Sequence, residues 1–88
     1  MVNAEQIRAA RGWLGLSQDE LAHRSGVAKR TIARFEQKLS VPYERTLRDL
    51  QACLEEMGVE FLFDGSRGVG IRMRLSQEIQ RVKTQKRK

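Results

Sequence analysis

The sequence predicts a mainly α fold: four to five short helices followed by a short β-hairpin. Three observations carry that reading. Two stretches open with a capping-box pattern, Asn3 to Gln6 and Ser17 to Glu20. Leu47, Leu50, Leu54 and Met57 recur at three- and four-residue spacing, the period of a helix with one apolar face. After Gly58 the character changes: Val59-Glu60-Phe61-Leu62-Phe63 reads as a strand, and from Val69 to Leu75 apolar residues alternate with polar ones or glycine, a period of two.

The first helix is expected from about Ala4 to Arg11, with Ile7, Ala10 and Leu14 as its apolar stripe and Gly12 to Leu16 as a link. Trp13 in that link is expected at the core or its edge, where an indole N–H needs a partner. Ser17 opens the second helix, and Asp19 and Glu20 suit the positive end of its dipole. It is about two turns long and stops at Ser25-Gly26, because glycine takes the left-handed position that other residues resist. A third helix follows from Ala28 or Lys29 to about Gln37. Its Ile32 and Phe35 face inward, and Lys29, Arg30, Ala33 and Arg34 face elsewhere. Leu39 to Tyr43, with the only proline, is a loop, and the fourth helix runs from Glu44 to Met57. Asp64 to Gly68 is turn material between the two strands. A lone two-stranded hairpin is marginal in water, so this one must pack on the helices or pair with another chain. The organisation expected is thus a helical domain over residues 1–58, a hairpin over 59–75 and a basic tail over 76–88.

The chain has 88 residues and a net charge of +6, with 40% hydrophobic and 32% charged residues. That is room for one modest core, and the basic balance points to a polyanionic partner. Five cations and one anion between Ser76 and Lys88 supply four of those six charges, so the total says little about the folded part. No apolar run nears the ~20 residues of a membrane span, and the N-terminus lacks the features of a signal peptide, so a cytoplasmic location is expected. Cys53, the only cysteine, forms no disulfide within the chain and reads as a small apolar filler. His23 reads as a surface residue, and Arg45 and Arg48, interleaved with Glu44 and Asp49, read as solvated charges. No His, Cys or acidic residues have catalytic or metal-site spacing and no phosphate-cradling glycine loop occurs, so neither an enzyme nor a metal or cofactor site is expected. Five aromatics, mostly in apolar patterns, leave little for stacking RNA bases.

Two short helices joined by a tight glycine turn can present the polar face of the second to a groove about 12 Å wide. Leu21, Ala22, Val27 and Ile32 would lock that pair together. The run Gly15-Leu16-Ser17-Gln18-Asp19-Glu20-Leu21-Ala22, then Ser25-Gly26-Val27, then Thr31-Ile32-Ala33-Arg34-Phe35-Glu36 resembles the lambda-repressor/Cro (XRE) family of helix-turn-helix regulators. The resemblance covers about Ala4 to Gly58. It implies a double-stranded DNA operator as partner, with Lys29, Arg30 and Arg34 at base edges. Gln18, Thr31 and Lys38 fall to phosphates, and Glu36 ties the end of the third helix back to the domain. It also implies a repressor that works as a homodimer. Val59, Phe61, Phe63, Ile71 and Met73, the apolar surplus of the hairpin, are the expected dimer surface. The alternative it leaves open is an antitoxin that binds a toxin partner and its own operator. Two departures from the family pattern stand out. Ala28 occupies a place often held by a capping Ser or Thr, and Lys38 one commonly held by Gly.

Overall fold

The computed structural model describes residues 1–74. Leu75, expected to end the second strand, and the basic tail over 76–88 lie outside the described residues. Among those described, four helices precede an antiparallel two-stranded sheet: α1 (Ala4–Leu14), α2 (Gln18–Ser25), α3 (Lys29–Glu36), α4 (Glu44–Glu56), β1 (Val59–Asp64) and β2 (Arg67–Met73). No described helix is long and apolar enough to cross a membrane.

Both capping boxes form. Asn3 and Gln6 exchange side-chain and backbone bonds at the start of α1, and Ser17 and Glu20 do so at α2. α1 is longer than the sequence reading placed it, continuing through Gly12 and Trp13 to Leu14. Gly15, at φ +69°, is the residue that ends it. The amide of Leu16 donates to the Arg11 carbonyl and that of Gly15 to Gly12, the paired bonds of a Schellman turn. Gly12 costs the helix about 1 kcal/mol relative to alanine, which a strong stop three residues later outweighs. The longer helix moves Trp13 out of its expected place: it is 70% exposed. Trp13 lies about 60° to 120° off the stripe of Ile7, Ala10 and Leu14, one residue from the end of the helix.

One core joins every element. Ile7 and Ala10 of α1, Leu21 of α2, Ile32 and Phe35 of α3, and Leu47, Leu50 and Leu54 of α4 are buried together with Val59 and Phe61 of β1. Val59 and Phe61 were expected at a surface between chains. They are instead covered by this chain's own helices, because the inward face of β1 closes the end of the helical core. Ile71 and Met73, opposite them in register, are partly buried against the same core, and Phe63 lies exposed near the turn.

Both strands also run closer to the turn than expected, β2 starting at Arg67. Leu62 pairs with Gly70 but Phe63 pairs with Gly68, so the ladder slips by one residue at a bulge. The bulge is held by α1. Gln6 is only 3% exposed, and its Nε2 donates to the Leu62 carbonyl at 2.9 Å and to the Gly70 carbonyl at 3.0 Å. Asn3 Nδ2 donates to the Gly68 carbonyl at 3.0 Å, and Gln6 Oε1 accepts from the Asn3 amide. The cap of the first helix therefore donates to the carbonyls on either side of the bulge. Gly68 makes this approach possible: a Cβ there would overlap Gln6 Oε1 and stand 2.5 Å from Gln6 Cδ.

Gly68→Ala should cost about 2 to 3 kcal/mol, combining overpacking with lost hydrogen bonds. Urea unfolding measures it. A loss below about 0.5 kcal/mol, within the range of ordinary surface substitutions, would mean that Gln6 swings aside freely and does not hold the hairpin.

Candidate nucleic-acid interface

α3 presents one side to the core and the other to solvent. At about 100° per residue, Ile32, Phe35 and Glu36 share the buried side, while Lys29, Ala33, Gln37, Arg30 and Arg34 fall in that order across the open arc. Lys29, Arg30, Arg34 and Gln37 are exposed, and Ala33 is half-buried. The three cations expected at base edges are thus brought to one face. Ala33 and Gln37 lie between them, and the sequence reading gave neither a role. Helical phase alone places them there, and both types have base-edge chemistry, Gln with adenine and Ala with the thymine methyl.

The turn that aims this face is short. Gly26 adopts φ +75° and donates its amide to the Ala22 carbonyl. Val27 follows into the core, so α3 starts at once on a new axis. No side chain caps α3, because Ala28 has no acceptor to offer. At the other end Lys38 is the one described non-glycine residue at positive φ, +62°. Its amide reaches the Phe35 carbonyl and that of Leu39 reaches Arg34, so the turn keeps the shape that glycine usually makes.

Glu36 ties α3 down. It is 3% exposed, and Arg11 grips it with two parallel bonds, Nε to Oε2 at 2.9 Å and Nη2 to Oε1 at 2.8 Å. Arg11 Nη1 also donates to the Leu16 carbonyl, and Gln18 Nε2 donates to Glu36 Oε1 at 3.1 Å. One carboxylate thereby connects α1, the α1–α2 link, α2 and α3. Burial alone would push its pKa up, but the bonds from Arg11 and Gln18 outweigh that and hold it below the ordinary carboxylate value.

Several of the other described cations have acidic partners, whereas Arg8, Arg24, Arg45 and Arg67 have none among the described residues. Lys29 Nζ stands 3.3 Å from Asp19, and Lys38 pairs with Glu5. Arg48 of α4 pairs with Glu44 one turn before it. Among the described residues Arg30 and Arg34 have no acidic partner. Thr31 is half-buried on the flank of α3, and Gln18 is half-buried with its amide already engaged by Glu36.

A family model described as "Helix-turn-helix" matches residues 7–62, from the first helix into β1. No curated protein matches the chain.

The Glu36 carboxylate contributes stability above its unfolded pKa, near 4.5, and that contribution is lost as pH falls through its depressed folded value. Glu36→Gln should lower stability at neutral pH by about 2 to 3 kcal/mol, below the full cost of breaking a buried pair because Arg11 is partly exposed. It should also flatten the loss of stability below about pH 4.5. Urea midpoints across pH 3 to 7 test both, and parallel curves for the two proteins would exclude this carboxylate as the titrating group. Separately, Lys38→Gly relieves a left-handed cost of about 1–2 kcal/mol against a glycine entropy penalty of about 0.5–1. A rise of about 0.5 kcal/mol or more is expected in the same assay. A fall would show that the pair with Glu5 matters more than the backbone.

Proposed function

The chain belongs to the helix-turn-helix family of DNA-binding regulators, and on that premise we propose that it reads a specific double-stranded DNA operator as a dimer and acts as a transcriptional repressor in the cytoplasm. The observation that carries this reading is the state of α3. Its buried side is fixed by the Glu36–Arg11–Gln18 network, while its open arc carries Arg30 and Arg34 with no acidic partner among the described residues. A guanidinium fork on a rigid helix matches guanine O6 and N7 bidentately. Arg30 and Arg34 therefore take guanines, and Lys29 takes a neighbouring base edge. Thr31, Lys38 and the remaining donors of Gln18, its second side-chain amide proton and its backbone N–H, serve the phosphates, which set register without reading sequence.

Two-fold pairing follows from the economy of the motif. One short helix reads only a few base pairs, and two of them a helical turn apart, about 34 Å, read a palindrome. Repression is the simplest regulatory outcome, because a groove filled by α3 is closed to any other protein that reads the same base pairs.

Selection from a random DNA pool tests the reading, with the wild-type chain and with Arg34→Ala. The expected product is a two-fold symmetric motif, with the variant relaxing the preference at one position per half-site and losing about 1–3 kcal/mol there. Binding with no enriched motif would leave only nonspecific, salt-sensitive attraction and would overturn it.

A further inference from the structure

The two lysines that bracket α3 are each paired with an acid from another helix, and the two arginines between them are not. Lys29 Nζ stands 3.3 Å from both carboxylate oxygens of Asp19, the second residue of α2. Lys38 pairs with Glu5 of α1. The two acids differ in where they stand. Lys29 opens the arc of α3 on the side of Glu36, the side to which Gln18 of α2 reaches. Asp19 follows Gln18 and therefore rims the reading arc itself. Lys38 and Glu5 meet beyond the last turn of α3. The Asp19 side chain is 72% exposed and that of Lys29 55%, so neither is withdrawn from a bound duplex. A carboxylate at the edge of such a face is a cost, because it repels every phosphate whatever the sequence.

We propose that Asp19 is a specificity-determining residue: it holds Lys29 over the base edges and opposes the use of that lysine on phosphates. The proposal rests on the DNA reading above and adds to it a residue that itself touches no base. Lysine is a point charge on a flexible stem, with three donors. Unpaired, its amine turns to the nearest phosphate, a contact that every sequence offers and that carries no information. Paired with Asp19, it keeps a donor free for an acceptor in the groove. Placing the amine on a base edge preserves the pair. Moving it to a phosphate breaks the pair and leaves a bare carboxylate beside the backbone. The two placements differ by the strength of an exposed ion pair, a factor of about two to five. That is too little to matter for folding and enough to matter for discrimination between sites. Glu5 does only half of this. It opposes a phosphate contact by Lys38, which reads no base, and so lowers affinity for all DNA alike.

Three variants that each remove one negative charge test this: Asp19→Asn, Glu5→Gln and Glu60→Gln. Glu60 pairs with Arg72 in the hairpin, which packs on α1 and α4, whereas α3 packs on α1 and α2, so its variant is the control for net charge. Each full-length variant is titrated by fluorescence anisotropy on a scrambled duplex across a salt series, and each is put through selection from a random pool. Asp19→Asn should bind the scrambled duplex about two- to tenfold tighter, with a log–log salt slope steeper by about 0.9, the value of one further phosphate contact. Its selected motif should relax at one position per half-site, and its preference for the selected site over the scrambled one should fall about two- to fivefold. Glu5→Gln should bind tighter with a steeper slope and an intact motif, and Glu60→Gln should change neither. Asp19→Glu keeps the charge and should keep the motif. In a Lys29→Ala background, Asp19→Asn should leave the motif as it finds it, because the lysine it positions is gone. A motif for Asp19→Asn identical to that of the wild-type chain would overturn the proposal and leave the DNA reading intact. So would a gain on the scrambled duplex no larger than that of Glu60→Gln. A wild-type chain that enriches no motif would overturn both.

Discussion

The carboxylate of Glu36 is the constraint on which the rest of the domain's geometry hangs. A helix that must enter a groove has to leave most of its surface uncovered, so it can bury little and must be fixed at few points. α3 buries Ile32 and Phe35, and a two-residue apolar contact leaves a short rod free to rock. The bidentate grip of Arg11 removes that freedom, because a planar fork fixes direction as well as distance. Arg11 is itself held by the Leu16 carbonyl, and Leu16 lies in the turn that starts α2, so the orientation of α3 is referred to the same point that orients α2. The charge pair is costly to bury and its net contribution to stability is modest. Its value is geometric, since it admits one arrangement of three helices and rejects near neighbours.

A second polar anchor lies at the other end of α1. Asn3 and Gln6 first satisfy the helix terminus and then reach the carbonyls of the bulge at Leu62, Gly68 and Gly70. A hairpin this short would not persist alone. Here it gains apolar contact through Val59 and Phe61 and direction through the Gln6 amide. α1 therefore carries both registrations, Gln6 for the hairpin and Arg11 for α3. If the hairpin sets the spacing between two copies, the route from one reading helix to the next runs along this helix and through these two side chains.

Much of the fold was legible because its signals are local. Capping boxes, a left-handed glycine and a three-four apolar repeat each act within a few residues, and they placed the helices and the turn of the motif to within a few positions. The candidate face of α3 was legible for the same reason, since helical phase follows from spacing. The misplaced features depend on contacts distant in sequence. Trp13 was drawn toward the core by its size, whereas α1 continues through it to Leu14 and leaves it exposed on the helix flank beside the hairpin. Gly68 reads as a turn residue until Gln6 is found where its Cβ would be. Val59 and Phe61 have the alternation expected of any half-buried strand, and the pattern does not say which body covers the apolar side. Gln37 and Ala33 were passed over because charge, rather than position on the arc, guided the choice.

Both ends of α3 carry a local cost, a missing side-chain cap at the first and a left-handed lysine in the capped turn at the second, and the two have a common consequence. Ala28 leaves the first-turn amides of the helix without a side-chain acceptor, at a cost of about 1 kcal/mol. Lys38 holds a left-handed conformation that costs a similar amount. A helix of eight residues with no N-cap side chain and a strained C-terminal turn would not hold its shape on intrinsic propensity. It is held from the middle of the domain, by burial of Ile32 and Phe35 and by the carboxylate of Glu36. Support from the buried side leaves both ends and the outer arc free of internal partners, apart from the exposed pairs of Lys29 with Asp19 and Lys38 with Glu5. Exposed pairs of this kind contribute little and yield readily to a stronger anion. The free amides at the start of α3 and the lysine at its end are the groups that a phosphate backbone can engage. A phosphate at the first turn would supply the acceptor that Ala28 does not, so a bound duplex would stabilise the helix that reads it.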